Sequence, residues 1–202
     1  MGNIKAVLFD WGGVLIDDPA AALMRYCADA LGAGVEEYRK AYRLFEADFS
    51  CGKLAEEMFW GKMCGKLGVD KPQAGSLWGQ AFALVYKPKE EMFELARLLR
   101  KNGLRTTVLS NTERPAVDFF QRQNYDMFDE AVFSCLEGVR KPEKKIYRIA
   151  VERLGVSAGE CVFIDDRIEC VEGAIAVGLK GIIFGGFEKL KEELSQVGVK
   201  TE

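Results

Sequence analysis

The sequence predicts an α/β protein: a doubly wound parallel sheet with a small helical cap inserted after the first strand. Three observations carry this. Short apolar runs without polar alternation recur along the chain, which is how strands buried on both faces read. Amphipathic segments separate those runs in a strand–helix cadence, the mark of parallel strands joined by crossover helices. The stretch from residue 18 to 87 breaks the cadence, offering helical pieces and no convincing strand.

The first strand is Ala6-Val7-Leu8-Phe9, ended by Asp10. After Pro19, which suits a first helical turn, helices are expected at residues 20–31, 35–49, 54–67 and 74–85. Gly32-Ala33-Gly34, Ser50-Cys51-Gly52 and Asp70-Lys71-Pro72 part them, and Pro88 marks the return to the sheet. A helix over 90–102 places Met92, Phe93, Leu95, Ala96, Leu98 and Leu99 along one face and closes on Gly103. Strands follow at Thr106-Thr107-Val108-Leu109 and Ala131-Val132-Phe133. Arg140-Lys141-Pro142-Glu143 opens the next helix, over 143–154, with Pro at its first turn. Cys161-Val162-Phe163-Ile164 is the fourth strand, 171–177 a helix, Gly181-Ile182-Ile183-Phe184 the fifth strand, and 187–197 a charged terminal helix. The chain therefore divides into a core of residues 1–17 and 88–202 and a cap of residues 18–87. The cap aromatics, among them Tyr38, Tyr42, Trp60, Trp78 and Phe82, fall at helical spacing and read as core.

Composition narrows the function classes. With 202 residues, 49% hydrophobic and 29% charged, the chain is long enough to bury a core and too apolar for disorder. The 28 Lys+Arg stand against 31 Asp+Glu, so there is no basic excess to hold nucleic acid. Histidine is absent, which removes Ser-His and Cys-His nucleophilic pairs, HExxH zinc sites and imidazole bases together. The six cysteines form neither a CxxC pair nor a tight cluster; they read as small buried hydrophobes in a reducing compartment. The N-terminal apolar run is too short for a signal peptide, and a myristoylation signal would want Ser or Thr where Ala6 stands. No run approaches the ~18–20 apolar residues of a membrane span. A cytoplasmic protein, monomer or homodimer, with no membrane or nucleic-acid partner, is expected.

Three polar clusters fall just past the carboxyl ends of predicted parallel strands: Asp10, Ser110-Asn111 and Asp165-Asp166. Open α/β sheets bind ligands there, at the switch in strand order. Asp10, Asp165 and Asp166 in one crevice would crowd carboxylates unless a cation compensates, and all-oxygen ligation suits Mg²⁺ better than zinc. With the metal and Lys141 offsetting charge, an Asp can attack phosphorus and form an aspartyl-phosphate. Gly12-Gly13 would bring backbone amides to phosphate oxygens, Ser110 and the N–H after it (Asn111) would hold another, and Lys141 would bridge nucleophile and phosphate.

Four motifs, in order and spanning the whole chain, resemble those of the haloacid dehalogenase-like hydrolases, specifically the phosphatase branch with a helical cap after strand 1. They are Val7-Leu8-Phe9-Asp10-Trp11-Gly12-Gly13-Val14-Leu15, Val108-Leu109-Ser110-Asn111-Thr112, Val139-Arg140-Lys141-Pro142-Glu143, and Phe163-Ile164-Asp165-Asp166 running into Val171-Glu172-Gly173-Ala174. The resemblance implies a Rossmann-like core with Asp10 as nucleophile and Mg²⁺ ligand, and Ser110 and Lys141 as phosphate contacts. It implies Asp166 as a direct metal ligand, Asp165 as a ligand direct or through water, and the Gly12 carbonyl as another. Two positions depart from the commoner pattern: Gly12 replaces the second Asp that serves as general acid and base, and Cys170 stands where relatives place Asn. The Phe-Asp-x-Gly-x-Val form is similar to sugar-1-phosphate phosphatases and to the phosphatase domain fused to epoxide hydrolases.

The leading expectation is a Mg²⁺-dependent phosphomonoesterase for a small phosphorylated metabolite, a phosphosugar, with the cap closing over the site. The alternative, which Gly12 favours, is a catalytically weak relative that binds a phosphorylated ligand or a protein partner through its cap. Haloacid dehalogenation needs no metal, and the paired Asp165-Asp166 argues against it.

Overall fold

The computed structural model describes residues 3–73 and 75–202. Its centre is a five-stranded, all-parallel sheet in the order β3-β2-β1-β4-β5. The strands are β1 (Ala6–Phe9), β2 (Arg105–Ser110), β3 (Glu130–Phe133), β4 (Cys161–Asp165) and β5 (Lys180–Ile183). Strand β1 lies in the middle, paired with β2 through Val7–Thr106 and with β4 through Val7–Val162. From β1 the chain builds one half of the sheet through β2 and β3, then crosses to the other side for β4 and β5. The switch in strand order thus falls beside β1, whose carboxyl end carries Asp10.

All four β1 residues are fully buried, and successive side chains alternate between two cores. Val7 and Phe9 face the core shared with α5 (Glu90–Lys101), α6 (Arg114–Arg122) and α10 (Phe187–Gln196). Ala6 and Leu8 face the core built with α8 (Lys144–Leu154) and α9 (Ile168–Ile175). Such double coverage explains why the strands read as unbroken apolar runs.

Between β1 and α5 the chain forms α1 (Ala20–Ala30), α2 (Val35–Ser50), α3 (Glu56–Leu67) and α4 (Leu77–Val85). Tyr42, Phe49 and Trp78 pack around Phe59: Phe49 stacks on Phe59 at 4.0 Å, and Tyr42 on Trp78 at 5.6 Å. The two linkers of this insertion meet each other. The Asp17 N–H donates to Lys87 O at 2.9 Å, and the Lys89 N–H donates to Leu15 O at 2.9 Å, bridging Ile16 to Pro88.

Several boundaries differ from the sequence expectation. Helix α6 was not expected; its nine residues begin at Arg114-Pro115, a pair that reads as a turn, and only Pro115, Ala116, Val117 and Phe120 are buried. A short helix, α7 (Ser134–Glu137), follows β3 directly and was likewise unforeseen. Pro142 does not occupy the first turn of α8, since Glu143 is the N-cap and Pro142 precedes it. Helix α9 starts at Ile168, earlier than the expected 171; its buried face begins only at Cys170 and Val171, while Ile168 is exposed. In the insertion, α3 starts two residues later than expected, and Ala74, where the fourth helix was expected to begin, lies outside the described residues. Met1 and Gly2, used in the N-terminal reading, lie outside them too. All six cysteines are free. Among the described residues, no helix is long and apolar enough to cross a membrane.

Candidate active site

Asp10 ends β1, and its own N–H extends the pairing by donating to Ile164 O at 2.8 Å. Its Oδ1 accepts the Trp11 N–H at 2.7 Å and lies 2.8 Å from Lys141 Nζ. Among the described residues no donor engages Oδ2. Lys141 Nζ also donates to Asp165 Oδ2 at 2.6 Å, so one ammonium, 2% exposed, bridges the ends of two adjacent strands. Asp165 is fully buried, and its Oδ1 accepts the Arg167 N–H at 2.9 Å.

These groups set one another's charge. Burial pushes the Asp10 carboxyl up to about 6; Lys141 opposes that shift and Asp165 adds to it. Burial works against the Lys141 charge, but Asp10 and Asp165 outweigh it and hold the ammonium above its ordinary value. Asp166, more exposed, is also raised, by burial and then by Asp165. Oxygens of Asp10, Asp165 and Asp166 all lie within 4.8 Å of one another. Three carboxylates share one buried cation. That deficit, with hard oxygen donors, fits a dication of the Mg²⁺ kind.

The other expected residues divide. Ser110 closes β2, is 4% exposed, and among the described residues no hydrogen bond claims its Oγ. Gly12 lines the same cavity. Asn111 lines it as well, but its side chain works elsewhere: Nδ2 donates to Lys141 O at 2.9 Å, and Oδ1 accepts the Lys141 N–H at 2.8 Å. The amide thus grips the Lys141 backbone from both sides and aims the ammonium.

Gly13 corrects the expectation. Its N–H donates to Ile16 O at 2.9 Å and is no free phosphate donor. Its φ is +88°, and a Cβ there would lie 2.3 Å from Asp166 Oδ2. Gly13 therefore makes room for the Asp166 carboxylate. Lys89 Nζ donates to Gly13 O at 2.7 Å and fixes this turn. Trp11 lines the cavity and packs against its neighbours. It is 1% exposed, with its ring 4.9 Å from Phe82 and 5.2 Å from Phe120. The Cys170 thiol is buried and pushed up to about 12 by burial, which makes it inert at neutral pH.

Above the carboxylates lies a cavity of about 400 Å³. Its outer wall comes from the helical insertion: Leu23 and Met24 of α1, Tyr42 of α2, and Trp78 and Phe82 of α4. Two contacts here join the insertion to the sheet loops. Arg140 Nη2 donates to Glu46 at 2.9 Å and Nη1 to Ser50 Oγ at 3.2 Å. Glu113, the N-cap residue of α6, is 9% exposed and accepts from Tyr42 OH and from Trp78 Nε1, both at 3.2 Å. Sequence reasoning missed Glu113. An acid beside a helix start looks like an ordinary dipole partner, and only the unexpected α6 would have turned attention to it.

Burial pushes Glu113 up to about 7, above the ordinary 4.5; the bonds from Tyr42 and Trp78 lower it, and nearby Glu46 raises it. Folding then takes up a proton between pH 4.5 and 7, so this residue costs stability as pH rises through that window, by up to roughly 3 kcal/mol once past it. In Glu113→Gln, the amide oxygen accepts from Trp78 while the NH₂ donates to the Tyr42 hydroxyl. The gain in thermal unfolding temperature over wild type should therefore be larger at pH 8 than at pH 5. A gain independent of pH would show that Glu113 stays ionised throughout.

The sequence profile of the haloacid dehalogenase-like hydrolases matches residues 4–178. Sesquiterpene phosphatase of Aspergillus oryzae is 29% identical over 184 residues, covering 89% of each chain. Acyl-CoA dehydrogenase family member 10 of Mus musculus is 26% identical over 196 residues; the match covers 89% of this chain and 18% of the mouse protein. Among solved structures, a haloacid dehalogenase family enzyme of Bacteroides thetaiotaomicron superposes with TM-score 0.77 at 20% identity, over 96% of this chain and 99% of that one. The same enzyme has been crystallised with magnesium and inorganic phosphate, a form that superposes with TM-score 0.74 at 20% identity over 93% of this chain and 99% of that one.

Proposed function

We propose, from the premise that this chain belongs to the haloacid dehalogenase-like hydrolase family, that it is a Mg²⁺-dependent phosphomonoesterase. Its substrate is a small phosphorylated metabolite, and the reaction passes through an aspartyl-phosphate on Asp10. One observation carries the reading: a buried Asp10, tied through Lys141 to Asp165 at the floor of the cavity that Ser110 also lines, with Asp10 Oδ2 and Ser110 Oγ unclaimed among the described residues. Residues 18–87 act as a cap over a core of 1–17 and 88–202, supported by the paired linkers at Ile16 and Pro88. The name of the Aspergillus relative supports phosphatase chemistry, and the magnesium and phosphate held by the Bacteroides enzyme support the metal.

Asp10, Asp165, Asp166 and the Gly12 carbonyl would hold Mg²⁺, which when bound neutralises charge on the phosphoryl oxygens. Lys141 keeps Asp10 ionised at neutral pH against the pull of burial, so the carboxylate is ready to attack phosphorus. Ser110 Oγ and Lys141 Nζ bind phosphoryl oxygens and fix the line of attack. The O–P bond to the alcohol breaks as the Asp10 O–P bond forms. Water then attacks phosphorus, releasing phosphate and restoring the carboxylate.

With Mg²⁺ present, the protein should release phosphate from p-nitrophenyl phosphate, and Asp10→Asn should abolish release without unfolding the chain. Acid quenching during turnover should leave the mass of one phosphoryl group on the Asp10 peptide. Equal release without Mg²⁺, or wild-type turnover by an Asn variant that cannot deamidate, would remove this reading.

Gly12 governs the leaving group. A positioned general acid contributes ~10²–10⁴-fold, and no carboxyl stands at this position to protonate an alkoxide. Weakly basic leaving groups lose least, so anomeric sugar phosphates, acyl phosphates and aryl phosphates should outrun primary alkyl esters such as hexose 6-phosphates. The Gly12 backbone is not at positive φ, and a Cβ would meet Pro19 Cδ at 3.3 Å, a contact the ring relieves by a small shift. Gly12→Asp should therefore raise kcat/KM on a hexose 6-phosphate at least ~10-fold more than on the aryl ester. Equal wild-type rates on a hexose 1-phosphate and the matching 6-phosphate would mean that another group supplies the proton.

The apolar wall of Leu23, Met24, Trp78 and Phe82 favours a second reading of the substrate, the phosphate ester of a hydrocarbon alcohol, as the name of the Aspergillus relative describes for that protein. The choice turns on Glu113.

A further inference from the structure

We infer that Glu113 is a specificity-determining residue: it accepts hydrogen bonds from hydroxyls on the organic part of the substrate, so that the site takes the phosphate ester of a hydroxylated ring and rejects that of a hydrocarbon. This rests on the phosphomonoesterase reading of the same cavity.

Among the carboxylates around the cavity, Glu113 stands apart. Asp10 and Asp165 share Lys141, Glu46 pairs with Arg140, and Asp18 and Asp166 are open to solvent. Glu113 is nine-tenths buried and, among the described residues, has no cationic partner. A buried carboxylate without a cation is costly, and an apolar residue of similar size would be cheaper there. Its two partners are neutral donors, one to each oxygen: Tyr42 OH on Oε1 and Trp78 Nε1 on Oε2. The Glu113 backbone N–H adds a third bond to the same carboxylate, which accepts about four in all, so about one acceptor position is left for a ligand.

Position makes that capacity useful. Glu113 follows Ser110 in the same loop, so the cavity that opens on the phosphate-binding floor continues to it. Tyr42 and Trp78 come from the helical insertion, and Glu113 from the sheet side, so the three assemble only where the two meet. Trp78 and Phe82 line the cavity with apolar surface that suits the apolar face of a ring, and Glu113 suits its hydroxyl edge. A hydrocarbon chain placed here would strip water from Glu113 and return no donor. Sites built around a buried polar group reject ligands that lack its partner far more strongly than apolar pockets reject an extra group.

The test compares a hexose 1-phosphate with cyclohexyl phosphate, a ring of the same size without hydroxyls, in wild type, Glu113→Gln and Glu113→Leu. Intrinsic reactivity cancels when the kcat/KM ratio of the two esters is compared between variants. The hexose-to-cyclohexyl ratio should fall about 10-fold in Glu113→Gln, which keeps an acceptor but loses its charge, and about 100-fold in Glu113→Leu. The same ratio is read as calorimetric affinity in an Asp10→Asn background, where no turnover is needed. A ratio unchanged within about twofold in both variants, or a wild type that prefers cyclohexyl phosphate, overturns the inference. Absence of phosphate release from every ester would instead remove the phosphomonoesterase reading, and the affinity ratio would still decide the role of Glu113. Glu113→Gln keeps both neutral contacts satisfied, so its result stands even where Glu113→Leu fails to fold.

Discussion

A single buried ammonium, Lys141 Nζ, is held between Asp10 and Asp165, and much of the molecule is arranged around that contact. Desolvating a lysine costs several kcal/mol unless the cation is bonded well, and desolvating the carboxylates costs as much again. The solution uses adjacent parallel strands, β1 and β4, whose ends stand one strand spacing apart, as the two anchors. Lys141 itself comes from the loop before α8, and the Asn111 amide holds its backbone from the end of β2. Three crossover connections are thereby tied at one point. One cation still cannot neutralise Asp10, Asp165 and Asp166 together, which leaves the cluster short of positive charge and suited to a bound dication and a phosphoryl group.

Around that point the helical insertion is anchored through polar contacts as well as packing. Its linkers bridge each other at Ile16 and Pro88, and Lys89, just past the return, holds the Gly13 turn beside Asp166. On the far side of the cavity, Arg140 reaches Glu46 and Ser50 of α2 from the residue directly before Lys141. The backbone that positions the cation therefore also positions the insertion. Any shift of α2 against the sheet is felt at both ends of the cavity.

What the sequence made legible follows from where chemistry sits in a parallel sheet. Strand interiors buried on both faces read as apolar runs, so the polar residue that ends each run stands out; Asp10, Ser110 and Asp165 are found this way. Lys141 belongs to a loop motif and is legible through its neighbours. Glu113 was not, because its significance comes from Tyr42 and Trp78, which lie 71 and 35 residues away. Nor was the work of the Asn111 side chain, whose amide holds the Lys141 backbone, or that of Gly13, which spacing placed at a phosphate but whose N–H the fold spends on Ile16. Local pattern reports which groups reach the end of a strand; it does not report which of their hydrogen bonds are already taken.

The charge deficit is tested most directly by thermal unfolding of the protein across a Mg²⁺ titration, without substrate. A ligand that binds the folded state alone raises stability by RT ln(1 + [L]/Kd), about 2.7 kcal/mol at 100 times Kd. The unfolding temperature of the wild type should climb with Mg²⁺ along that curve, and Asp166→Ala, which removes a carboxylate without touching Lys141, should flatten it. A wild-type unfolding temperature that Mg²⁺ leaves unchanged would contradict the account.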